Sequence, residues 1–242
     1  MKFDNLAFVF YSHSSLKWIW PAFIGEMDKY FPIECKRYSF LDSQYEQQLV
    51  EVEGERFEPV EYSESHNYAT RLLECLQYVD EEFVLIHHED MIFYDYVNME
   101  MFDHYFKIME NNEQFAYLKL IRGGVSNSEP VLFSDGVYNL QENEQYRYAV
   151  QPAIWRKSIL VKILENCLNS SIYEMEDKAS KYMIENKIPV LFAYNKEDIK
   201  RGMYHWDNIK YPIISTALSK GKWQDSEYDI EIENLKREYN LL

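Results

Sequence analysis

Two polar clusters in this chain each stand at the end of an apolar run, where a side chain can be held firmly and still reach solvent. The first, Tyr11-Ser12-His13-Ser14-Ser15, closes the run at residues 6–11. Its hydroxyls and backbone N–H groups, just ahead of a helical pattern, suit a nucleotide or a phosphate oxygen. Ser14 or Ser15 could equally cap that helix, and the two roles can coexist. The second cluster, His87-His88-Glu89-Asp90, closes the run at 83–86. Carboxylates at such a strand end are unfavourable unless something pairs with them. A divalent cation bridging a diphosphate is one such partner; a capping Asp with a solvated Glu is the other reading. Neighbouring residues of an extended strand face opposite ways, so Glu89 and Asp90 could share a cation only if the strand has ended by Asp90. The same alternation argues against His87 and His88 as a zinc pair. Arg71 lies between the clusters in sequence, where its guanidinium could meet Asp90 or a phosphate, or simply be solvated.

These clusters need elements to hold them. Residues 6–11 and 83–86 are continuous apolar runs, as expected for strands covered on both faces. Apolar residues at three- and four-residue steps predict helices over 16–31 (with Pro21 a kink), 65–79, 97–110, 157–167 and 172–186, and in the tail from 227 to 242. Further strands are expected at 35–40, 115–121, 131–133, 146–150 and 190–194, with a short strand or hairpin within 42–58. Ser171 and Glu174 fit a capping box at the start of the 172–186 helix. Strands alternating with helices up to residue 120 imply βαβ units and a mostly parallel sheet, with an antiparallel addition later. The expectation is a single α/β, Rossmann-like domain over residues 1–242. Residues 1–120 would hold a nucleotide, and 121–242 would hold an acceptor and carry the C-terminal helix.

Composition narrows the function. Asp plus Glu number 41 against 25 Lys plus Arg, a net charge of −16. Such a chain is repelled by phosphate backbones, which argues against nonspecific nucleic-acid binding, and against docking on anionic lipid through a basic face. Gly and Pro number 7 each, about half the usual combined share of roughly 12%, so flexible linkers and turn-rich repeats are disfavoured. Tyr (21), Phe (14) and Trp (5) are abundant, and suit half-buried walls that meet sugars or bases. Three cysteines without CxxC spacing fit a reducing compartment better than zinc or disulfides. The first apolar run is too short for a signal peptide and no run approaches a membrane span, so a cytoplasmic protein is expected.

The strand ending in Tyr11-Ser12-His13-Ser14, then Tyr68-Ala69-Thr70-Arg71-Leu72 on a helix, then Phe83-Val84-Leu85-Ile86-His87-His88-Glu89-Asp90 resemble the N-terminal half of a GT-A fold glycosyltransferase. The segments Gln151-Pro152-Ala153-Ile154-Trp155-Arg156 and Tyr173-Glu174-Met175-Glu176-Asp177 are similar to acceptor-side segments of bacterial and viral polysaccharide glycosyltransferases. The resemblance implies transfer of a sugar from a nucleotide-sugar donor to a hydroxyl of a glycan acceptor, in surface or capsular glycan synthesis, by a monomer or homodimer. It implies that Tyr11, Ser12, His13, Ser14, Arg71, His88, Glu89 and Asp90 receive the donor. It further implies a base among Glu176, Asp177 and Glu174, with Glu176 favoured, and an acceptor held by Gln151 and Trp155. The chain carries Glu89-Asp90 where that family has an Asp-x-Asp. With His205 these would hold a divalent cation, Mn²⁺ or Mg²⁺, while Lys222 would meet the diphosphate. Plain surface turns, with Trp206 and Trp223 as packing anchors, are the alternative for the last two. A nucleotidyltransferase would want a Gly-rich loop after the first strand, which is absent here. The non-enzymatic alternative is an acidic, Tyr-rich module that binds glycans or a protein.

Overall fold

The computed structural model describes residues 1–43, 57–123, 131–142, 144, 146–202, 205–224 and 226–241. Its centre is built from strands whose two faces are both apolar. In β1 (Lys2–Tyr11), Leu6, Phe8 and Phe10 enter one core and Ala7, Val9 and Tyr11 the other. In β4 (Phe83–His88) the same alternation sends Phe83 and Leu85 one way and Val84 and Ile86 the other. A period of two on a sheet with both faces covered is why these segments read as unbroken apolar runs.

The other strands are β2 (Glu34–Leu41), β3 (Glu58–Glu61), β5 (Ile92–Phe93), β6 (Tyr117–Lys119), β7 (Val131–Ser134), β8 (Val137–Asn139), β9 (Ala153–Arg156) and β10 (Leu191–Ala193). The main sheet has the order β3-β2-β1-β4-β9-β6-β10-β8-β7. Within it, β8 and β9 run against the common direction of the others. Helices α1 (Trp20–Tyr30), α3 (Met99–Asn111) and α6 (Asp229–Glu238) pack apolar faces on one side. Helices α2 (Tyr68–Leu76), α4 (Lys157–Glu165) and α5 (Ile172–Glu185) cover the other. Short antiparallel pairs are added late: β5 with β13 (Ile213–Ile214), β11 (Lys200–Arg201) with β12 (His205–Trp206), and β14 (Leu218–Ser219) with β15 (Lys222–Trp223). The fold is therefore the expected mixed α/β, Rossmann-like architecture, and no described helix is long and apolar enough to cross a membrane.

Local chemistry explains where elements differ from expectation. Pro21 does not kink α1; it occupies the first turn, where its missing N–H would have had no partner. The residues before it form a 3₁₀ turn, Ser14–Leu16, with the His13 ring accepting the Ser15 N–H. Residues 146–150 are not a strand. The N–H of Tyr148 donates to Ser180 Oγ (3.0 Å) and that of Val150 to Glu176 Oε1 (2.7 Å), so side chains of α5 take the place of a strand neighbour. The strand is instead β9, wedged antiparallel between β4 and β6. The segment expected within 42–58 lies largely outside the described residues, and β3 begins only at Glu58.

Candidate functional site

Strand order reverses at β1: β2 and β3 lie to one side and β4 to the other. The crevice beyond the carboxyl ends of strands at such a point is where ligands enter open α/β sheets. Register places Tyr11 directly opposite His88, so the two polar clusters are neighbours in space. Tyr11 stacks on Tyr62 (5.3 Å between centroids) and on the His88 ring (5.1 Å). His88 Nε2 lies 2.8 Å from the Tyr68 hydroxyl. Burial lowers the His88 pKa to about 4, so its imidazole is neutral near pH 7. Arg71 is not paired with Asp90. Its Nε and Nη2 donate to the carbonyls of His66 and Glu64, both at 2.6 Å, and its guanidinium lies over Tyr62. These bonds fold the Arg71 side chain back onto the turn that precedes its own helix.

The loop after β1 is organised by a residue the sequence reading passed over. Asp42 accepts the Ser14 N–H and hydroxyl, both at 2.6 Å. Burial raises the Asp42 pKa, but the two Ser14 donors, with its own N–H and the His13 charge, outweigh it and the net shift is downward. His13 Nδ1 accepts from the Ser15 N–H, which leaves Nε2 facing Asp42 (3.5 Å) and Glu64 (3.3 Å). His13, Asp42 and Glu64 form the one group of three converging metal-ligand types among the described residues. Ser12 is buried: Trp20 Nε1 donates to its hydroxyl (2.7 Å) and the Tyr62 hydroxyl to its carbonyl (2.7 Å).

Glu89 and Asp90 occupy the turn that ends β4, so the strand has stopped where they would need it to. Glu89 is 8% exposed, and burial first, then the charge of Asp90, raises its pKa. Burial also raises Asp90, with its own N–H and that of Leu218 pulling partly back. Neither carboxylate has a cationic side chain within ion-pair distance among the described residues. Two adjoining carboxyls disfavoured as anions are the donor type a hard divalent cation takes, with phosphate oxygens completing its shell.

The main-chain oxygen of Asp90 accepts the Ala217 N–H (2.9 Å), which ties this turn to the wall of a cleft of about 620 Å³. Glu89 and Asp90 are not on the lining; Thr216, Leu218, Ser219 and Lys220 are. Opposite them α5 presents Tyr173, Glu176 and Asp177, and the loop before β9 presents Val150 and Gln151. The Val150 N–H fixes Glu176. Burial raises the Glu176 pKa, and that N–H and the Lys119 charge restrain it.

Several expectations are redirected. Trp155 is 3% exposed and stacks on Tyr117 at 3.8 Å, inside the core with Tyr148, so neither ring is an acceptor wall; Tyr173, 77% exposed, is on the lining. Glu174 closes the capping box with Ser171 and is not on the cleft lining. Lys222 is exposed in β15, off the lining, whereas Lys220 in the same hairpin is on it. Trp223 packs against Trp18 as an anchor. The backbone of His205 pairs with Arg201 in β12, while its side chain and residues 203–204 lie outside the described residues.

Two cations on the lining were not anticipated. Lys119, 2% exposed, donates Nζ–H to the Tyr146 carbonyl (2.8 Å), and burial lowers its pKa to about 8. Arg122 lies just beyond β6, its Cζ 4.6 Å from the Tyr194 ring centroid and 5.0 Å from that of Trp206. A single Lys inside the apolar run 115–121 was the available signal for the first. Arg122 had none, because its aromatic neighbours come from β10, the residue after it and β12, all distant in the chain.

Fold and site thus define a mixed α/β domain with a polar crevice at the strand-order reversal and a cleft beside it. No family model matches the chain, and no curated protein sequence matches it. Among solved structures, one with a TM-score above 0.5 shares the fold. CMP:2-keto-3-deoxy-manno-octonic acid synthetase complexed with CTP superposes with a TM-score of 0.51 at 10% identity, over 78% of this chain and 89% of that one. TarS of S. aureus gives 0.47 at 15% identity over 83% and 59%. The bifunctional IspDF of Campylobacter jejuni gives 0.44 at 15% over 80% and 50%.

Proposed function

We propose that this chain is a glycosyltransferase of GT-A type, moving a sugar from a nucleotide-sugar donor to a hydroxyl of a glycan acceptor in surface polysaccharide synthesis. The observation that carries it is the tie from Asp90 to Ala217 and Leu218. Through it the acidic turn at the strand reversal abuts a cleft whose far wall bears a restrained, partly buried carboxylate, Glu176. The fold likeness to a CTP-bound synthetase supports a nucleotide at the β1/β4 crevice. In this reading residues 1–120 hold the donor and 121–242 the acceptor. Tyr11, Ser12, His13, Ser14 and His88 line the nucleotide's place, and Gln151 and Tyr173 meet the acceptor.

In an inverting transfer the acceptor oxygen forms its bond to the anomeric carbon as the bond to the diphosphate breaks, the electron pair leaving with the diphosphate. Glu176 takes the acceptor proton, a role that its raised pKa suits. Glu89 and Asp90 fit a divalent cation, which when bound would neutralise diphosphate charge; Lys220 adds a positive charge at the hairpin.

Thermal melting against UDP-, GDP-, CMP- and dTDP-sugars, with Mn²⁺ or with EDTA, tests this. A bound donor raises the melting temperature as its concentration passes the dissociation constant. One nucleotide class stabilising the chain in Mn²⁺ is expected. Stabilisation that survives EDTA would remove the cation from the scheme. Stabilisation by CTP without a sugar would favour nucleotidyl transfer, and no shift with any nucleotide would favour a binding module.

A further inference from the structure

The Arg122 side chain has no hydrogen bond or ion pair with any described residue, in a chain with 41 Asp plus Glu. Its Nε is shut off from water without a partner. The guanidinium is held instead among the rings of Tyr194 (4.6 Å), Trp206 (5.0 Å) and Phe192 (6.0 Å). Stacking engages the faces of a guanidinium and leaves its N–H edge for a planar or tetrahedral oxyanion. Arg122 lines the cleft together with Lys119, which spends one N–H on the Tyr146 carbonyl. Glu144, Glu176, Asp177 and Glu227 line the same cleft and Lys220 stands on its 216–220 wall, so an anion is favoured only beside the cations, of which Arg122 alone offers a planar fork. A neutral ligand would leave the buried Nε–H of this half-buried guanidinium unanswered, an unfavourable arrangement.

We infer that the cleft takes a sugar substrate bearing an oxyanion, a uronate carboxylate or a phosphate ester, received by the edge of Arg122 with Lys119 as the second cation. The sugar rests on the transferase reading; the oxyanion site does not.

Titration calorimetry of the full chain with glucuronate, glucose 6-phosphate, inorganic phosphate and methyl glucoside tests it. One or both anionic sugars should bind where methyl glucoside does not, and which of them binds names the oxyanion. Arg122→Gln should weaken that binding by about tenfold or more, the loss expected when a charge-assisted bidentate pair is removed. Arg122→Lys, which keeps the charge and loses the fork, should weaken it less, and serves if Arg122→Gln does not fold. Equal binding of methyl glucoside, no loss in a folded Arg122 variant, or inorganic phosphate binding as tightly as both sugars would overturn the inference. Anionic sugars bound through Arg122 with no nucleotide bound would refute the transferase reading and keep this site. A nucleotide-sugar bound with no discrimination at Arg122 would do the reverse.

Discussion

Lys119 gives the site a pH signature that can be read without knowing the substrate. Its folded-state pKa is about 8 against an ordinary 10.5. Between those values the unfolded chain holds a proton the folded chain has lost, so stability rises with pH across the window. The rise attributable to this group is up to about 3 kcal/mol. Urea unfolding between pH 7.5 and 10.5 should show it in the native chain and not in Lys119→Met; parallel curves would contradict the burial argument. Glu176 and Trp155 separate chemistry from packing in the same way. Glu176→Gln should lower turnover by about 10²–10⁴-fold, the usual range for a lost general base, with the melting temperature little changed. Trp155→Phe should cost about 1 kcal/mol in unfolding free energy through its stack on Tyr117, and leave acceptor KM unchanged. That Glu89-Asp90 ends a strand was legible because charges closing an apolar run stand out, whereas Glu176 was singled out only through the family resemblance. Trp155 was misplaced because its type alone cannot say whether a ring faces solvent or core.

At the scale of elements, α5 carries two carboxylates two residues apart, Glu174 in the capping box and Glu176 on the cleft lining. Ser171→Ala removes the capping box and should destabilise the chain by about 1 kcal/mol, with turnover within about twofold of native. Glu174→Gln should likewise spare turnover; an effect as large as that of Glu176→Gln would exchange their roles. The tail helix docks by close approach. A Cβ on Gly25 would lie 2.4 Å from the Tyr239 hydroxyl, which donates to Glu26 Oε1 (2.9 Å). Gly25→Ala should therefore loosen α6 from α1, seen as faster amide exchange over residues 229–238. The helices and the doubly buried strands were legible from periodicity, since each reports only which faces are covered. Residues 146–150 were not, because their backbone donors go to Ser180 and Glu176 on a helix that follows in the chain.

Across the whole molecule a net charge of −16 disfavours compaction. Raising NaCl from 0.05 to 0.5 M, which shortens the screening length severalfold, should raise the melting temperature. A fall would mean that ion pairs such as Arg201 with Asp207 and Glu231 outweigh the self-repulsion.

The amino-acid sequence by itself determined the α/β class, the continuous strands, the capping box on α5 and the polar ends of β1 and β4. Each of these depends on residues within a turn or two of one another, where spacing and side-chain type act directly. Tertiary structure decided that Tyr11 faces His88, that β9 runs antiparallel between β4 and β6, and that the Asp90 turn holds the 216–220 wall. It also decided that Lys119, Arg122 and Glu176 open into one cleft. Those arrangements bring together groups far apart in the chain, and they arise from how strands are ordered and faces are buried, which no local pattern encodes.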